Sequence, residues 1–169
     1  MSAAAPIALP LRPPAHQVSP RAVLWWRLRA LLTVLAVALP QAVVAVVLTT
    51  NAPAWLMTTT VLTVLVGLAY LVAVPPLLFR IHRWEVTDEA VYTLSGWLVR
   101  EWRIAPISRV QTVDTEHGPL QQLLKLASVT VTTASARGPV TIRGLEEGAA
   151  AELARLLTET TQATPGDAT

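Results

Sequence analysis

The sequence contains no cysteine, which excludes disulfide bridges, thiolate metal sites and a cysteine nucleophile. Residues 30–79 hold no Lys, Arg, Asp, Glu or His. Such a run of fifty residues is unnecessary in a soluble core and is more than twice the roughly 20 residues that cross a bilayer. Acids are missing from a longer stretch still. Residues 1–79 carry four arginines and no Asp or Glu, a charge of +4, whereas residues 80–169 carry nine basic residues and all eleven acids, a charge of −2. The polar part of the chain therefore lacks the basic stripe that nucleic-acid binding needs, and the isoelectric point of 9.7 owes much to arginines beside the apolar run. No H-E-x-x-H, G-x-S-x-G or Gly-rich phosphate loop is present. Neither an enzyme, a cofactor nor a small-molecule substrate is expected.

Residues 1–20 hold five prolines and almost no apolar periodicity, which predicts a disordered leader. A cleaved signal peptide ending near Ala36-Val37-Ala38 is the alternative, but the apolar run continues past that point and a second span follows. The run breaks at Asn51 and Pro53, both turn formers, so residues 21–79 read as a transmembrane hairpin. Its spans are expected at about 29–50 and 54–74. Pro75-Pro76 ends the second by removing two backbone donors, and Pro40 kinks the first, with Gln41 serving a freed backbone group or facing the partner helix. Arginines flank both outer ends (Arg21, Arg27, Arg29, Arg80, Arg83) and none lies in the turn, which predicts cytoplasmic termini in a bacterial plasma membrane. Trp25, Trp26 and Trp55 fall where interfacial anchors belong.

After Arg80 the apolar period changes from helical to alternating. Trp84 and Val86 oppose Arg83 and Glu85; strands follow on either side of Ser95-Gly96, with Leu98, Trp102 and Ile104 on one face; Val129 and Val131, then Val140 and Ile142, alternate with threonines and Arg143. About six or seven short antiparallel strands are expected. Residues beyond Gly144 turn helical, with Ala149, Leu153, Leu156 and Leu157 as the apolar stripe of a capping helix. Residues 80–160 thus form a small cytoplasmic β domain, and 161–169 a disordered tail.

Asp114, Glu116 and His117 are the one cluster that suggests metal or acid–base chemistry. On a strand Asp114 and Glu116 point one way and His117 the other, so the three do not converge on one ion, and the end of an exposed strand is the preferred reading. The stretch from Gly118 to Leu126 is leucine-rich beside a lone lysine. Core packing is the preferred reading of its leucines, and Gly118, Pro119, Leu120, Leu123, Leu124 and Lys125 are the candidate contact for a partner or the membrane on the alternative reading.

Several short motifs occur together in order: Trp84 with Thr87-Asp88-Glu89, Gly96, Ile104-Ala105-Pro106-Ile107, Val110-Gln111-Thr112-Val113-Asp114, Gly118-Pro119-Leu120-Gln121, Leu126-Ala127-Ser128 and Ile142-Arg143-Gly144-Leu145. This series resembles the bacterial membrane-flanked pleckstrin-homology-like (PH-like) domain family over about residues 82–157. The resemblance implies two roughly orthogonal sheets capped by a C-terminal helix, and no catalytic residues. After Gly118-Pro119-Leu120-Gln121 the family tends to have a basic residue and then, three positions on, a glycine. This chain has Gln122 and Lys125 there, so the family's contacts in this loop are not carried over. The expected function is a membrane-tethered PH-like interaction or scaffold module, its partners the bilayer and another membrane protein or a second copy of itself. An accessory subunit of a transporter or export assembly, and a peripheral lipid-sensing domain, are the alternatives.

Overall fold

The computed structural model describes residues 12–48, 53–134 and 138–163. The chain begins with a two-residue strand, β1 (His16–Gln17), followed by helix α1 (Arg21–Val47) and helix α2 (Ala54–Ile81). Six strands follow: β2 (Arg83–Val86), β3 (Ala90–Ser95), β4 (Glu101–Pro106), β5 (Val110–Glu116), β6 (Leu126–Thr133) and β7 (Val140–Glu146). Helix α3 (Pro119–Leu123) lies between β5 and β6, and α4 (Glu147–Ala163) closes the chain.

Helices α1 and α2 are 27 and 28 residues long and strongly apolar. At 1.5 Å per residue each extends about 40 Å, some 10 Å more than the hydrocarbon core requires. The surplus lies at the domain end, where Ala22 and Trp25 are buried. Contrary to expectation, α2 does not stop at Pro75-Pro76 but runs on to Ile81. Two prolines cost the helix only the bonds their missing N–H groups would have made to the carbonyls of residues 71 and 72, and membrane helices accommodate such losses. Helix α1 likewise continues through Pro40. The two helices meet along small residues, Ala38 and Ala45 on α1 and Gly67 on α2, all buried. A Cβ on Gly67 would collide with the Val34 side chain, so glycine sets the helix separation. Gln41 faces the partner helix: Thr63 Oγ1 lies 3.3 Å from its Oε1 and also donates to the Thr59 carbonyl at 2.8 Å.

The strands form two antiparallel sheets, β1-β2-β3-β4 and β5-β6-β7. Alternation sorts the side chains: Val129 and Val131 of β6 and Val140 and Ile142 of β7 point into a core completed by Val91 and Ala105 from the first sheet and by Ile107 in the short 3-10 turn after β4. Helix α4 covers this core with Ala150, Leu153 and Leu157, one face at spacings of three and four. The stripe differs from the sequence expectation at two residues: Ala150 takes the place of Ala149, and Leu156 is exposed. The outer face of α4 carries Arg155 between Glu152 and Glu159, pairs that in water contribute little.

Two further expectations need correction. The disordered leader does not include residues 12–20. His16 and Gln17 pair with Trp84 and Arg83, Val18 is buried, and Arg12 reaches Glu85 at 3.3 Å; residues 1–11 lie outside the described residues, as do 164–169 of the expected tail. Leu98 is not on a strand with Trp102 and Ile104 but in the turn between β3 and β4, where it is 77% exposed. Gly96 opens that turn at a φ of 89°, and a Cβ there would overlap the Val99 carbonyl oxygen.

Candidate functional site

The hairpin joins the domain at one end of the first sheet. Strand β1 leads through residues 18–20 into α1, and α2 passes into β2 through a single residue, His82. The Ser19 N–H donates to the Gly144 carbonyl at 2.9 Å, and its hydroxyl donates to a Glu146 carboxylate oxygen at 3.2 Å. Gly144 sits at a φ of 79°, and a Cβ on it would lie 2.7 Å from that of Ala22. The first turn of α1 is thereby seated on β7. Trp25 stacks near Trp26, and Trp26 against His82, with ring centroids 6.1 and 5.2 Å apart. Trp25 is therefore a packing residue buried at this junction and not the lipid-facing anchor expected from its position, whereas Trp55 at the opposite end is 65% exposed.

His82 is bonded through Nδ1 to the Leu78 carbonyl at 2.8 Å, an arrangement that fits the neutral ring with its proton on Nδ1. Burial lowers its pKa below the usual 6.5, the Leu78 bond works in the opposite direction, and the nearby Arg143 charge lowers it further. The folded chain thus holds His82 neutral more firmly than the unfolded chain does. As the pH falls through about 6.5 towards the lowered folded value, the unfolded state takes up the proton first and stability is lost. Thermal unfolding of the full-length protein in detergent should show a drop in Tm between pH 7.5 and 5.5 that His82→Gln reduces. Equal drops in both proteins would remove His82 as the cause.

The candidate contact residues form a compact corner. Gly118 precedes α3, and its N–H donates to the Gln121 side chain at 2.9 Å; Gln121 is buried and donates to Ser128 Oγ at 2.8 Å. This anchoring turns Leu123 outward, 80% exposed, while Pro119 is exposed and Leu120 and Leu124 are half-buried. Leu126, by contrast, is fully buried in β6. Lys125 is exposed and has a φ of 54°, left-handed backbone that glycine adopts without strain. Lysine bears the cost of that conformation here. The Lys125 carbonyl accepts from the Glu147 N–H at 3.1 Å, next to the Glu146 that holds Ser19, which places the corner beside the base of α1.

Asp114, Glu116 and His117 are not brought together. Asp114 accepts from the Thr112 hydroxyl at 3.1 Å on the exposed side of β5, and His117 Nδ1 lies 3.2 Å from the Leu126 carbonyl. Among the described residues no group of three His, Asp or Glu side chains is placed to hold a metal ion. Sequence reasoning missed Arg12, His16, Val18 and Ser19, whose proline-rich surroundings carry no periodic signal. It also missed the turn residues 97–99, although three consecutive apolar residues after a turn glycine were visible there.

Two long apolar helices, seven antiparallel strands in two sheets, of which the short first strand precedes the helices, and a C-terminal helix define a PH-like domain carried on a transmembrane hairpin. The sequence matches the family described as "Bacterial PH domain" over residues 30–161, and the chain belongs to that family. It is also similar to the UPF0699 transmembrane protein YdbS of Bacillus subtilis (strain 168), with 30% identity over 137 residues, 79% of this chain and 86% of the relative. No solved structure matches it.

Proposed function

We propose that the chain is a non-enzymatic, membrane-tethered module that presents the α3 corner to another membrane protein or to a second copy of itself on the cytoplasmic side of a bacterial plasma membrane. The observation that carries this reading is the junction. Only His82 separates α2 from β2, and on the way to α1 His16 and Gln17 pair with that same strand while Ser19 bonds to Gly144 and Glu146 of β7 in the other sheet. A domain that served merely to be concentrated at the membrane would tolerate a flexible linker. One held at two points has a fixed height and orientation, which favours a partner that is itself fixed in the membrane. Leu123 is then the apolar anchor, Pro119, Leu120 and Leu124 its surround, and Gly118 and Lys125 the ends of the loop. The net acidic charge of residues 80–169 argues against attraction to anionic lipid as the main role.

The test is a photo-crosslinking side chain at Leu123 in the full-length protein in its native membrane, with Glu152 on the outer face of α4 as control. Discrete protein adducts from position 123 and none from 152 are expected. Adducts with lipid alone, or none at all, would remove the partner reading. Orientation is tested separately: because the chain has no cysteine, a single one at Asn51 should react with an impermeant thiol reagent in intact cells, and one at Thr169 only after lysis. The opposite pattern would place the domain outside.

An accessory role in a transporter or export assembly is favoured by a different observation. A groove of about 760 Å³ runs between α1 and α2, lined by Thr33, Val34, Val37, Val66, Gly67 and Tyr70 among others. It has the apolar, small-residue character of a helix-packing surface. Co-purification with a larger polytopic protein that is lost with Gly67→Leu, while crosslinking from Leu123 persists, would support that role over the first.

A further inference from the structure

Three passages of chain reach the same end of the first sheet. Strand β1 runs towards it, Gln17 opposite Arg83, and continues into α1; β2 starts from it, directly after α2; and β3 returns to it, Leu94 opposite Arg83. Two of these three continue into membrane-spanning helices. The third continues into the turn between β3 and β4, which carries Trp97, Leu98 and Val99, respectively 45%, 77% and 78% exposed, and then Arg100. We infer that this turn is a lipid contact: residues 97–99 enter the headgroup layer of the leaflet that α2 leaves, with Arg100 at phosphate level.

The chemistry fits that layer. Three consecutive apolar side chains exposed to water at a turn are unfavourable, whereas tryptophan is enriched where hydrocarbon meets headgroups and arginine extends its charge back to phosphate. The reach fits as well. Ser95 is the last residue of β3, paired with Glu101, so at about 3.3 Å per residue the apex of the turn lies roughly 7–10 Å beyond it, comparable to the depth at which interfacial segments sit. The turn is also shaped in advance, since Gly96 allows the close approach of the Val99 carbonyl. A protein partner would have to fit beneath the domain, between it and the leaflet its own helices enter. The bilayer is already there. This inference is independent of what binds the α3 corner.

The experiment uses the full-length protein in vesicles of neutral phosphatidylcholine. A spin label is attached to a single cysteine in place of Leu98, of Val99, or of Glu152 as an aqueous control; all three are exposed, so none disturbs the core. Labels at 98 and 99 should collide several-fold less with a water-soluble nickel reagent than the label at 152, and several-fold more with oxygen. Nickel access at 98 and 99 equal to that at 152 would overturn the lipid contact. Labels immobilised and shielded from both reagents would also overturn it, in favour of a protein contact. Insertion into neutral lipid, without anionic headgroups, identifies the apolar residues and not Arg100 as its cause.

Discussion

Replacing Gly144 with valine is expected to destabilise the protein by about 2–6 kcal/mol. Two costs add. The backbone at Gly144 has a φ of 79°, a conformation that a β-branched residue enters only at a cost of about 1–3 kcal/mol. A Cβ there also stands 2.7 Å from that of Ala22, and overpacking of this kind costs typically 1–3 kcal/mol because α1 is held in place by Ser19 and by the hairpin itself. The two parts are separable. Ala22→Gly removes the opposing methyl group but leaves the backbone strain, so a denaturation cycle on the full-length protein in detergent should show a coupling equal to the packing part alone, about 1–3 kcal/mol. A double variant as unstable as Gly144→Val would mean that the seat of α1 on β7 contributes nothing.

Trp84→Ala is expected to cost about 3 kcal/mol, the lower end of the range for truncating a large aromatic, because Trp84 is only partly buried where it packs against the core. Its ring also meets that of His16, 5.2 Å between centroids, so truncation loosens β1 as well. The indole Nε1–H is buried and has no hydrogen-bond partner among the described residues. Leaving a donor unpaired costs roughly 1–3 kcal/mol, so Trp84→Phe gives up part of the burial but sheds that penalty, and should cost less than about 1 kcal/mol. If the phenylalanine variant proved as unstable as the alanine one, the indole N–H would have to be bonded in the working protein.

The hairpin and the strands were legible because each has a repeating physical cause. Fifty residues without charge have one economical environment, and the alternation of Val129, Val131, Val140 and Ile142 follows from the pleat. What was not legible depends on single contacts between distant residues. His16 and Gln17 form a strand only because β2 offers them an edge, and no propensity in a proline-rich segment announces that. Trp25 looked like a lipid anchor because sequence position cannot distinguish an interface with lipid from one with the protein's own domain. The α3 corner was visible as a leucine-rich loop, but which leucine faces outward was decided by the Gln121–Ser128 bond. Leu98 continues the strand alternation by chance through the turn at Gly96, so spacing alone places it on the face of Trp102 and Ile104.

The pairing of β1 with β2 also dictates an order of events during synthesis. His16 meets its partner Trp84 only after 68 further residues have been made, among them both membrane helices. At about 5–20 residues per second the first strand waits roughly 3–14 s beside the ribosome or the membrane with nothing to pair with. The first sheet is therefore completed only after the second helix has been synthesised. A chain whose hairpin failed to insert would carry two long apolar helices next to an unfinished sheet edge, a combination that quality-control proteases and chaperones recognise.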